Sequence, residues 1–236
     1  MLFRSYDGRY LEPGRYENAG TVEAAWSIRS TERRGPWQVT GRLSLGGGIE
    51  YRNRSAGVAT DDRYDTQLYG RAFGELTARR RLAGHRLAGV RVFGGWLEGA
   101  GGAEPVRQRW FYASGADPYE EMSNPFVRSR GGLLGGDVHF STLGGGDVRG
   151  LARDVAMTRL LAINGEVEQS VWRRPGRGLL QDVRLAAFAD GAVSNGFYSV
   201  RGGGRLAGDA GVGLRMVHRI GETTFQTRFD VPVWVS

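Results

Sequence analysis

Residues 37–52 read WQVTGRLSLGGGIEYR, and the alternation within them decides the fold. Trp37, Val39, Leu43, Leu45, Ile49 and Tyr51 fall on one face, while Gln38, Thr40, Arg42, Ser44, Glu50 and Arg52 fall on the other. A period of two over this length is a β-strand with one apolar face. The run exceeds the roughly five or six residues usual in globular strands, and at about 3.3 Å per residue it can cross a bilayer even when tilted.

The same pattern recurs on both sides. Before it, Val22, Ala24, Trp26 and Ile28 oppose Glu23, Ala25, Ser27 and Arg29. After it, Leu68, Ala72, Leu76 and Ala78 oppose Gln67, Tyr69, Arg71, Phe73, Glu75 and Thr77, and then Ala88, Val90, Val92 and Trp96 oppose Gly89, Arg91, Phe93 and Gly95. Alternation fades between Gly99 and Met157, a length that a compact domain keeps as a loop only when the loop has work of its own. It returns in 160–172, 179–194, 205–220 and 223–235, where Pro232 marks a strand near an edge or seam. Eight strands are predicted, plus a stub at 2–6.

Short links (31–36, 80–85, 173–178, 221–222) take turns with long ones (7–20, 53–63, 99–157, 195–204). In an up-and-down meander all short links then lie at one end, as in outer-membrane barrels. Opposite charges on the polar faces suit a water-filled lumen. Trp37, Tyr51, Trp96, Trp172 and Trp234, near strand ends, suit an interfacial girdle. A soluble β-sandwich binding module uses the same strands and stays open as an alternative. The N-terminus lacks a secretory signal, and a barrel of this kind needs one, so a fragment is expected.

Composition narrows function further. The 236 residues carry a formal charge of +7 with pI near 10.2; all 32 cationic side chains are arginine, and cysteine is absent. The arginines interleave with Asp and Glu instead of forming a basic patch, which argues against nucleic acid despite Arg-Gly-Gly triplets at Arg130 and Arg201. His85, His139 and His218 have no metal-ligand spacing, and no Gly-x-Ser-x-Gly elbow is present. Asp117, Glu120 and Glu121 lack the spacing of a calcium loop, and Gly144-Gly145-Gly146 lacks the Lys-Ser/Thr ending of a phosphate loop. The chain reads as non-enzymatic and without a cofactor.

Within the long loop, 139–154 read HFSTLGGGDVRGLARD. Taken alone, Val148-Arg149-Gly150-Leu151 is an ordinary loop tetrapeptide. If the loop folds back into a barrel, however, Arg149 needs carboxylates on the wall, and alternation places Glu166, Glu168 and Asp190 on the polar face.

Residues 140–151 resemble the signature of the bacterial outer-membrane protein assembly factor superfamily (the BamA, TamA and two-partner-secretion transporter type). Its sixth loop carries a glycine pair, here Gly145-Gly146, followed by Val-Arg-Gly, here Val148-Arg149-Gly150, and an aromatic, replaced here by Leu151. A second family motif, Phe-x-Asp-x-Gly, is similar to Phe188-Ala189-Asp190, with glycine one place early at Gly191. The resemblance implies that Arg149 packs against Asp190 and against a glutamate of the preceding strand, here Glu166, with Glu168 on the same wall.

The resemblance also implies a transmembrane antiparallel β-barrel of about sixteen strands, of which eight or nine are present here. The expected role is assisting insertion or export of proteins at the bacterial outer membrane, with outer-membrane lipid, client proteins and periplasmic accessory proteins as partners. A barrel anchoring a larger chain that carries a periplasmic or secreted hydrolase or peptidase is the alternative. Residues 1–236 are expected to form one partial barrel domain, with the loop at about 99–157 folded into its lumen.

Overall fold

The computed structural model describes residues 2–4, 15–56, 63–102, 105, 110–113, 145–149, 156–174, 176, 178–195 and 206–236. The protein is all-β. Its strands are β1 (Leu2–Arg4), β2 (Arg15–Arg34), β3 (Trp37–Ala56), β4 (Arg63–Leu82), β5 (Arg86–Gly99), β6 (Phe111–Tyr112), β7 (Ala156–Met157), β8 (Arg159–Arg173), β9 (Leu180–Ser194), β10 (Leu206–Ile220) and β11 (Thr223–Val235). Nine of them form one antiparallel sheet in the order β1-β2-β3-β4-β5-β8-β9-β10-β11, and β6 pairs separately with β7. A single sheet replaces the two packed layers of a sandwich. Its described end strands, β1 and β11, do not pair with each other.

Strand bounds differ from expectation mainly in β2 to β4. Each of these runs 20 residues. The β2/β3 ladder continues without a bulge from Arg34↔Trp37 to Arg15↔Ala56, so backbone pairing carries polar residues that have no alternation of their own. The predicted turn at 31–36 shrinks to Gly35-Pro36, where Gly35 takes φ 58°. Left-handed φ also occurs at Gly84 and His85, at Gly176 and Gly178, and at Gly221, all in the short links. Such φ values let the backbone reverse with the twist of the flanking strands.

The sheet's two faces are inverted relative to a water-soluble protein. On one face large apolar side chains stand in the open, with Val22 78%, Val233 75% and Leu206 74% exposed, and Ile163, Leu185 and Phe229 more than half so. On the other face Arg71, Arg91, Asn164, Glu166, Glu168, Asp190, Asp209 and Arg215 are buried. Alternation along each strand produces this division.

The glycines of 46–48 have a specific use. A Cβ at Gly48 would meet the Tyr69 hydroxyl at 2.9 Å. Without it, Tyr69 crosses β3 and donates to Glu23 Oε2 on β2 at 2.9 Å. An apolar cluster also forms on the polar face: Phe73 of β4 and Phe93 and Leu97 of β5 pack with Trp110, Phe111 and Met157 from the segment between β5 and β8. The three phenylalanine rings meet with centroids 5.7–6.4 Å apart. A Cβ at Gly95 would lie 2.8 Å from the Phe111 ring, so Gly95 is the socket that seats it.

Candidate functional site

The site is built where residues 145–149 of the long segment lie on the buried polar face. Arg91 of β5 donates to Gly145 O at 2.8 Å and to Asn164 Oδ1 at 2.9 Å, and pairs with Glu75 at 3.1 Å. Asn164 of β8 donates to Gly146 O and Asp147 O, both at 3.1 Å. Gly146 N and Val148 N donate to Tyr112 O and Ala113 O at 2.6 and 2.8 Å. A Cβ at Gly146 would lie 2.8 Å from Ala113 O, so only glycine permits this approach. Asp147 turns the chain at φ 56°, a left-handed conformation that aspartate tolerates better than most residues.

That turn delivers Arg149. Its Nη2 lies 2.7 Å from Glu166 Oε2, its Nε lies 3.1 Å from Asp190 Oδ2, and its backbone N–H donates to the same Asp190 oxygen at 3.4 Å. The guanidinium carbon sits 4.1 Å from the centroid of the Phe188 ring. Arg149 is therefore held by two strands at once, since Glu166 belongs to β8 and Phe188 and Asp190 to β9. Register explains the convergence: Glu166 pairs with Phe188 and Asn164 with Asp190, so the four side chains occupy two adjacent rows on one face.

No family model matches this chain, and no curated protein does.

The geometry brings together Gly145, Gly146, Val148, Arg149, Glu166, Phe188 and Asp190 from the sequence-predicted set. Gly150 and Leu151 lie outside the described residues. Glu168 is buried nearby but serves other cations, Arg184 at 3.1 Å and Arg215 at 3.4 Å. Gly191 points away from Arg149, and a Cβ there would meet Ile163 Cγ2 at 3.8 Å.

Sequence reasoning missed Arg91 and Arg215 as partners of the site. Arg215 of β10, 0% exposed, reaches Glu166 Oε1 at 2.9 Å and Asp230 of β11 at 2.6 Å. Asp230 also pairs with Arg228, whose guanidinium lies 3.6 Å from Glu166. Arg184 continues the chain of charges to Asp182 at 2.7 Å. Alternation placed each of these on the polar face; their convergence depends on cross-strand register.

Each carboxylate of this network has at least one guanidinium partner. A buried carboxylate shared by several arginines is costly to strip of any one of them, which suits fixing a geometry. Among the described residues no group of three or more His, Asp or Glu side chains is placed to hold a metal ion.

Proposed function

We propose that the chain is the barrel part of an outer-membrane protein of the assembly and translocation superfamily, in which Arg149 pins the long loop inside the lumen. The observation that carries this reading is the seating of Arg149 between Glu166 and Asp190, on Phe188, with the loop glycines held by Arg91 and Asn164. Glu166 and Asp190 are the partners that the resemblance assigns to the loop arginine.

The inverted sheet supports the membrane part of the reading. A bilayer takes an apolar outer face and tolerates a polar interior, and its strands need only about 9 to 11 residues to span. The strands of the main sheet from β2 onward have 13 to 20. Open edges at β1 and β11 are incompatible with the hydrocarbon region, so in the membrane the sheet closes or is completed by further strands. The bound loop fixes the spacing of β8 and β9, and through Glu166 and Arg215 that of β10, which sets the shape of the wall.

Membrane fractionation and heat-modifiable migration test the barrel; a chain recovered in the soluble fraction without detergent would sink it. Vesicles carrying the full chain are expected to accelerate insertion of an unfolded outer-membrane protein. The Asp190→Arg variant is expected to lose that activity or the folded barrel, and full activity in this variant would overturn the anchor.

A further inference from the structure

Near its short-turn end the exposed apolar face carries charged side chains, among them Glu32, Arg34, Arg80 and Arg86. Arg80 of β4 follows Ala78 on that face and pairs in register with Trp37 of β3, its guanidinium 5.2 Å from the Trp37 ring centroid. It has no carboxylate within 4 Å among the described residues. At the same end Arg34 pairs with Glu32, Arg86 donates to Gln169 and Arg173 contacts His85.

Beside Arg80 the same face is hollow. Small side chains at Ala78, Ala88, Gly165 and Ala187 floor an open depression of about 610 Å³, with Trp37 and Arg80 among its lining residues. Register puts Trp37, Arg80, Ala88, Val167 and Ala187 on one row across five strands, so the depression runs sideways from the cation onto apolar wall. Arg33, Arg34, Arg81 and Arg86 lie at the same end, where Glu32 pairs with Arg34. The position thus joins a cation without a carboxylate partner, an aromatic ring and an apolar trough.

We infer that this is a binding site for an anionic glycerophospholipid, with the headgroup phosphate on Arg80 and an acyl chain in the trough. Guanidinium groups suit phosphate oxygens, and stacking on Trp37 holds the fork in place. Floor residues without long side chains leave room for methylene groups. The assignment rests on the membrane reading above. It adds that lipid is selected at one place on the wall, so that a charged lipid lodges over β4, β5, β8 and β9, the strands that carry the loop anchor on their other side.

The test places the full chain in phosphatidylcholine vesicles containing a minor fraction of acyl-brominated phosphatidylglycerol, or the same fraction of acyl-brominated phosphatidylcholine. The quenching that disappears in Trp37→Phe reports that ring. Enrichment of the anionic lipid is expected to be roughly fivefold, the scale of one basic side chain at a charged surface. Arg80→Gln is expected to make the two lipids equivalent, and Ala187→Leu, which fills the trough and leaves Arg80 in place, to lower the enrichment. Equal quenching in the parent chain, or enrichment that survives Arg80→Gln, overturns the site while leaving the membrane reading standing. Failure to enter either vesicle overturns the membrane reading and the site with it. Shielding of Trp37 from both lipids, with crosslinking between copies through Ala187→Cys, puts a second copy there and overturns the lipid.

Discussion

Glu166 divides its carboxylate between two buried arginines: Oε1 takes Arg215 at 2.9 Å, and Oε2 takes Arg149 at 2.7 Å. The first contact belongs to the wall and the second to the loop. Arg215 therefore positions the acceptor that Arg149 uses, and a wall strand two places along the sheet from β8 has a hold on the loop.

Replacing Arg215 by Met tests this. The change leaves Glu166, Glu168 and Asp230 each without one cation in a buried setting, and removing one partner of such a network costs about 3–5 kcal/mol. The urea midpoint of the detergent-folded chain is expected to fall accordingly. Lysine, which lacks the planar fork, is expected to restore only part of the loss. An unchanged midpoint in Arg215→Met would falsify the positioning role.

Phe188 contributes through its ring face. Phe188→Leu keeps the apolar volume but removes the cation–π contact with Arg149, a loss of about 0.5–2 kcal/mol. A double-mutant cycle with Arg149→Met isolates the term, and the coupling is expected to be favourable and within that range. Additive single effects would assign Phe188 to packing alone.

Gly211 on β10 makes room for that ring. A Cβ there would meet the Val231 carbonyl oxygen first, and would sit 2.6 Å from Phe188 Cζ and 2.9 Å from Pro232 Cα. Gly211→Ala is expected to displace the ring from beneath Arg149 and to destabilise the chain by about 1–3 kcal/mol, as overpacking does. Combining it with Phe188→Ala is expected to relieve part of that strain, and a cycle showing no relief would mean that the ring is not what the methyl group meets.

Arg91 is expected to govern the order of the glycine run. Arg91→Gln removes the donors to Gly145 O and Asn164. Amide exchange at Gly146 and Val148, whose N–H groups donate to Tyr112 and Ala113, should then speed up, while exchange in the β2/β3 ladder stays unchanged. Equal acceleration in both places would indicate global loosening in place of local release.

The strand order and the division of faces were legible because alternation is a local signal repeated in every strand. Arg149 and Asp190 were legible from two short motifs, and Glu166 from the glutamate that the resemblance places on the preceding strand. Arg91, Arg215 and Asp230 were not, because the polar face holds many arginines and acids and only register says which converge. The Phe73, Phe93 and Phe111 cluster was equally hidden: two apolar residues on a polar face look like noise until the segment that covers them is in place. The ends of β2 and β3 escaped notice because pairing, and not hydrophobicity, extends them.

β5 and β8 are hydrogen-bonded neighbours although residues 100–158 separate them. Closing a connection of that length costs chain entropy of about 3 kcal/mol beyond that of a two-residue turn, by the logarithmic scaling of loop closure. Arg149 seats on β8 and β9, so the closure is completed only where Arg91 of β5 reaches Gly145 O and Asn164 Oδ1. The joint between the two halves of the sheet is therefore a long-range encounter, the kind of contact that slows folding, and Arg91 is the β5 side chain that meets the anchored loop there.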